Sequence, residues 1–254
     1  MTLATDDRPA RKVFCHGIPG SPQDVRLLPR ADIQSIYAPN LLAHSGSDPL
    51  QGFAHDCNVG GDGRTPLHLI GFSLGAMVAL RYSARYPQNV ARITLISAAA
   101  PLPLADVLSR MAGAPVFRLA THAPGLFRAL TYAQGALAKH RPRLLLRQLF
   151  ASAHPSEQAL LDDQTASQVL IAALNNSYCA NRRGYRTWVG HYVQDWSADL
   201  ARVTCPVTLW HGEHDTWAPP EMSDALSRAI AGPTQVIRLP QAGHYGTLRA
   251  ADIP

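Results

Sequence analysis

The sequence predicts an α/β fold: a mostly parallel central sheet flanked by helices, interrupted by an all-helical insertion. Three observations carry this. Strand-like and helix-like segments alternate through residue 98 and again from residue 196 onward, the pattern of parallel strands covered by helices on both faces. The stretch between them keeps helical periodicity and shows no strand signal. Gly71-Phe72-Ser73-Leu74-Gly75 joins an apolar run, Leu67 to Ile70, to a helix-like run, Ala76 to Arg85.

Taken in order, Lys12 to Cys15 reads as a short buried strand ending in His16-Gly17-Ile18-Pro19-Gly20. Asp24 to Leu28 reads as a short helix and Gln34 to Ala38 as a second strand, followed by turn-rich Pro39 to Pro49. Leu50 to Cys57 is weakly helical, and Asn58 to Pro66, with its three glycines, is a loop. Strand Leu67 to Ile70, helix Leu74 to Tyr86 and strand Ile93 to Ser97 follow. Pro87 stops the helix because it has no N–H to continue the ladder.

Pro101 and Pro103 open the helical stretch. Its candidate helices are Leu126 to Ala138, Leu144 to Phe150, Ala159 to Asp163 and Ala166 to Tyr178. Residues 99–195 are therefore expected to form a cap, and residues 1–98 with 196–254 the core. Alternation resumes with strand Val207 to Trp210, helix Glu221 to Ile230 and strand Val236 to Leu239. Ten residues follow His244, room for a short closing helix, Thr247 to Ala251. About eleven precede the first strand, so no earlier strands are expected.

Composition narrows the function classes. The chain has 254 residues, 46% apolar and 16% charged, which suits one globular unit with an ample core. Net charge is +5, but the arginines are scattered, with small clusters at Arg141/Arg143/Arg147 and Arg182/Arg183/Arg186. A nucleic-acid reader needs a denser basic stripe, so no nucleic-acid partner is expected. Cys15, Cys57, Cys179 and Cys205 form no C-x-x-C pair and read as free thiols in a reducing compartment. Met1 to Arg11 lacks the apolar core of a signal peptide, and no run is long enough to span a membrane. A cytoplasmic protein with no membrane partner is the expectation; the oligomeric state is not legible.

A G-x-S-x-G at a strand-to-helix junction is the pattern of a nucleophile elbow, which presents a serine hydroxyl at the sheet's edge. A hydroxyl is a weak nucleophile and needs a base, usually a histidine oriented by a carboxylate. Asp215 and then His244 follow Ser73 in the order Ser, Asp, His, each just after a predicted strand. Glu213 and His214 are rivals to Asp215 in the same loop. His16 reads as a structural anchor for its own loop. His211 and His214 have metal-pair spacing but no third ligand signal, so no metal is expected. Gly60-Gly61-Asp62-Gly63 lacks the Lys-Ser/Thr ending of a phosphate loop. Trp188, Trp196 and Trp217 read as core, with Trp217 also a candidate for the pocket mouth.

Outside the insertion, these residues resemble the α/β-hydrolase superfamily in its serine-nucleophile branch. The matching segments are His16 to Gly20, Gly71 to Gly75, Cys205-Pro206 through Asp215, and Gly243-His244. The resemblance implies catalytic Ser73, Asp215 and His244, with an oxyanion hole made by the backbone N–H groups of Ile18 and Leu74. Phe72 and Trp217 are expected to contact substrate. The expected activity is a cofactor-independent serine hydrolase acting on a small, partly apolar carboxylic ester or related acyl bond. Carbon–carbon bond hydrolysis, lactone chemistry or acyl transfer would use the same triad, and a non-catalytic receptor is a further alternative. The expected partner is a small-molecule substrate.

Overall fold

Apolar runs without alternation are what a parallel sheet between two helix layers demands, since both faces are covered. All six residues of Leu67–Phe72 are buried. The computed structural model describes residues 10–59, 61 and 65–254. The loop residues Gly60, Asp62, Gly63 and Arg64 and the terminus up to Pro9 lie outside that range. Strands β1 (Arg11–Cys15), β2 (Leu67–Phe72), β3 (Val90–Ile96), β4 (Val207–Gly212) and β5 (Thr234–Leu239) pair in the order β1-β2-β3-β4-β5, all parallel. Cys15 lies opposite Gly71, Phe72 opposite Ile96, and Ile96 opposite Trp210. The carboxyl ends of β1 to β4 therefore form one edge, the place where open α/β sheets build sites.

Helices α1 (Pro49–Val59) and α2 (Gly75–Arg85) fall within the first half of the chain. Between β3 and β4 the described elements are all helical: α3 (Leu102–Ala105), α4 (Ala114–His122), α5 (Pro124–His140), α6 (Pro142–Leu149), α7 (Pro155–Gln158), α8 (Gln164–Asn175) and α9 (Arg182–Tyr192), with short 3₁₀ and π turns. Helix α10 (Glu221–Ala229) precedes β5 and α11 (His244–Ala250) follows it. Among the described residues no helix is long and apolar enough to cross a membrane.

Several expectations are corrected. Gln34 to Ala38 is not a strand; Arg30–Ser35 is a 3₁₀ helix and only Tyr37 bridges to β1. Tyr37 exchanges two hydrogen bonds with β1, to Lys12 O at 3.0 Å and from Phe14 N at 2.8 Å. Pro39 has no N–H with which to extend that pairing. Helix α9 was not among the anticipated helices, although Tyr185, Trp188, Val189 and Tyr192 recur at i, i+3, i+4 and i+7, the spacing of one helix face. All four are buried, and Trp188 Nε1 donates to Leu41 O at 2.8 Å. The segment expected as one helix from Ala166 to Tyr178 ends as α8 and continues as a π turn, Asn176–Ala180. The closing helix begins at His244 itself, not at Thr247.

Candidate active site

Ser73 follows β2 directly and has φ of +55°, a left-handed conformation that costs a non-glycine residue on the order of 1 kcal/mol. Three main-chain bonds hold it: Ser73 N donates to Ile96 O at 3.0 Å, and Ser73 O accepts from Ala76 N at 3.1 Å and Ala99 N at 3.2 Å. Gly75 makes the turn possible in another way. A Cβ there would stand 2.1 Å from Cys15 O and 2.5 Å from His16 O, so only glycine lets the exit of β1 cross so close to the start of α2.

The loop leaving β1 is held by His16, which has no exposed surface. Its Nε2 accepts from Leu41 N at 3.1 Å, which places the proton on Nδ1, and Nδ1–H donates to Gly17 O at 2.7 Å. Burial pushes its pKa down to about 4 against the raising effect of its bonds with Gly17 and Asn40, so the ring is neutral at ordinary pH. The loop delivers Ile18 to a cavity that Ser73, Leu74 and Trp217 also line. Phe117 of α4 and Tyr178 of the π turn close it from the helical insert.

Asp215 sits in the turn after β4. Its Oδ1 accepts from Trp217 N and Ala218 N, both at 2.9 Å, and its Oδ2 lies 2.8 Å from His244 Nδ1. Burial alone would push this carboxyl up. Electrostatic attraction to His244 and His211, and hydrogen bonds with them, outweigh burial and hold it well below the usual carboxylate range. The rivals Glu213 and His214 are exposed. His211 is fully buried, accepting at Nδ1 from Ser223 Oγ at 2.5 Å and donating from Nε2 to Ala218 O at 2.7 Å. His214 instead stacks on His154 of the insert, with ring centroids 4.2 Å apart. The two histidines with metal-pair spacing thus point to different surroundings.

His244 opens α11 and is 2% exposed. Its ring lies between Phe72, at 4.9 Å, and Trp217, which stacks at 5.8 Å and 20°. Phe72 was expected to contact substrate; it is wholly buried behind the imidazole and does not line the cavity. As the last residue of a strand it follows the pleat into the core. Trp217 does line the cavity. The structure brings Asp215 and His244 into hydrogen-bond contact, and Ser73 reaches the same edge. No hydrogen bond joins Ser73 Oγ to the His244 ring in this state, and such contacts often tighten only when substrate is bound.

Two further neighbours of His244 carried no sequence signal. Ser97, with φ of +47°, donates from Oγ to His244 O at 3.0 Å. Glu157, on α7 of the insert, accepts from Tyr245 N at 2.8 Å and Gly246 N at 2.7 Å. Burial raises its pKa, and those two bonds oppose the shift.

A family model described as the alpha/beta hydrolase family matches residues 13–253. The chain belongs to the alpha/beta hydrolase family. Solved alpha/beta-fold structures resemble it over nearly its whole length at low identity. A serine hydrolase from Cycloclasticus zankles superposes with a TM-score of 0.63 at 15% identity, covering 96% of this chain and 86% of that one. An enol-lactonase from Burkholderia xenovorans LB400 gives 0.59 at 15% identity, covering 95% and 87%. An esterase from Exiguobacterium antarcticum gives 0.54 at 21% identity, covering 93% and 85%. No curated protein sequence matches. Identities this low speak for the shared fold; the alpha/beta hydrolase family itself is one of hydrolase enzymes.

Proposed function

We propose that this alpha/beta hydrolase cleaves a small, partly apolar carboxylic ester or related acyl bond through Ser73, His244 and Asp215, without a cofactor. The observation that carries the reading is the buried Asp215–His244 hydrogen bond at the sheet edge that also presents a left-handed Ser73. Asp215 accepting at Oδ2 fixes the Nδ1–H tautomer of His244. That tautomer leaves Nε2 with a lone pair to take a proton. Ser73 Oγ attacks the acyl carbon as His244 accepts the hydroxyl proton. The imidazolium then protonates the leaving alcohol. Water, deprotonated by His244, releases the acyl group from Ser73 and restores the hydroxyl.

Ile18 and Leu74 line the cavity with Ser73, and their N–H groups are the proposed oxyanion donors. Such donors matter because charge develops on the carbonyl oxygen only in the transition state; losing one costs about 3 kcal/mol of barrier stabilisation. The helical insert acts in this reading as a cap, its Phe117 and Tyr178 covering the acyl or alcohol portion and excluding bulk water.

An active-site-directed fluorophosphonate tests the reading. Wild-type protein should be labelled on Ser73, and Ser73→Ala should not. Short-chain p-nitrophenyl esters should turn over in the same samples. A folded wild type that resists the probe and leaves the esters intact would overturn the proposal.

A further inference from the structure

Glu157 is 2% exposed, although a carboxylate is among the groups least often buried. Both of its oxygens are spent on one short stretch of main chain. Oε2 accepts from Tyr245 N and Oε1 from Gly246 N, across 88 and 89 residues of sequence. These are the two residues directly after His244. The main chain here packs closely on this side chain: a Cβ at Gly243 would stand 2.5 Å from Glu157 Cγ, and one at Gly246 would stand 3.0 Å from Oε1. The chain on both sides of His244 is therefore shaped around a side chain supplied by the insert.

We propose that Glu157 is a positioning residue that aims the His244 imidazole, so that seating of the helical insert on the core sets the alignment of the base. The proposal rests on the serine-hydrolase reading. Besides the flanking rings of Phe72 and Trp217, three side chains hold His244 by hydrogen bonds: Asp215 at Nδ1, Ser97 at its carbonyl oxygen, and Glu157 at the two N–H groups that follow. Asp215 and Ser97 belong to the sheet edge. Glu157 alone among the three comes from the insert, at α7. Fixing the backbone on both sides of a residue restricts the direction of its side chain. A charge-assisted pair of bonds does this more firmly than a neutral one. Where proton transfer depends on alignment, small displacements of the base are costly.

The rate constant for acylation of Ser73 by a fluorophosphonate, kinact, separates alignment from binding, which appears in KI. Glu157→Gln keeps the shape but sets an NH₂ group against an N–H. It should lower kinact by about tenfold or more while KI stays within about threefold and the far-UV circular dichroism is unchanged. Glu157→Asp keeps the charge on a shorter arm and should recover part of the loss. A folded Glu157→Gln that is acylated at the wild-type kinact overturns the proposal. So does a loss that Glu157→Asp does not relieve, which would mark a packing role alone. If Glu157→Gln does not fold, Glu157→Asp decides: a kinact about threefold or more below wild type supports the proposal, and a smaller change overturns it. Failure of wild type to be labelled at all would remove the serine-hydrolase reading beneath it, an outcome distinct from unchanged variants of a labelled enzyme.

Discussion

Asp215 Oδ2 lies 2.8 Å from His244 Nδ1, although the two residues are 29 positions apart along the chain. The carboxylate has little freedom to leave that position. Its other oxygen is gripped by Trp217 N and Ala218 N, so the turn after β4 aims it before His244 arrives. The family's shared architecture explains why such distant residues meet: β4 and β5 are neighbours in the sheet, and the segments leaving their carboxyl ends emerge side by side.

Asp215→Asn tests that geometry. The amide oxygen can still accept from Trp217 N and Ala218 N. The amide NH₂ then faces Nδ1 of His244 and forces the proton to Nε2, the atom that must be free to act as base. Acylation of Ser73 should slow by about a thousandfold to ten-thousandfold with the melting temperature little changed. Probe kinetics on a folded variant decide the matter; a loss of less than about tenfold would mean that Asp215 does not set the tautomer.

His16 gives a pH prediction. Its pKa falls to about 4 in the folded protein from an ordinary value near 6.5. The unfolded chain therefore binds the proton more readily between those values. The stabilising contribution is fully present above about pH 6.5 and is lost as pH falls toward 4, about 3 kcal/mol over the window. Asp24 runs in the opposite sense: burial raises its carboxyl to about 8, so its contribution is present below about 4 and declines as pH rises through 8. The difference between wild type and His16→Gln isolates the histidine, because Asp24 titrates in both. Urea unfolding should show that gap narrowing from pH 7 to pH 4; parallel curves would contradict the assignment.

What could be read in the sequence was local. The run Leu67 to Ile70, the Gly71–Gly75 turn and the stop at Pro87 each announce themselves within a few residues, and β2, the left-handed Ser73 and the end of α2 follow. Asp215 could be singled out from Glu213 and His214 only by motif, and burial now separates it from them. What could not be read depends on contacts across the chain. Nothing near Glu157 indicates that its carboxylate meets Tyr245 and Gly246. The helical spacing of Tyr185, Trp188, Val189 and Tyr192 stands in the sequence, but the bond from Trp188 to Leu41 that anchors this helix does not. Phe72 is expected to contact substrate; the strand pleat sends its ring behind His244 instead.

Two glycine substitutions should have opposite signs. In Gly75→Ala the new methyl would meet Cys15 O at 2.1 Å and His16 O at 2.5 Å. Those are backbone atoms and cannot rotate away. Either the exit of β1 moves, carrying Ile18 with it, or the elbow opens. A loss of about 3 kcal/mol in unfolding free energy is expected, with slower labelling of Ser73 in whatever remains folded. Gly190 lies within α9 with nothing inside 4 Å of an added Cβ. There alanine only removes conformational freedom from the unfolded chain, and Gly190→Ala should gain about 0.5–1 kcal/mol. Urea titration of the two variants beside wild type measures both. A Gly75→Ala protein as stable as wild type would show that the elbow tolerates a side chain that these distances forbid.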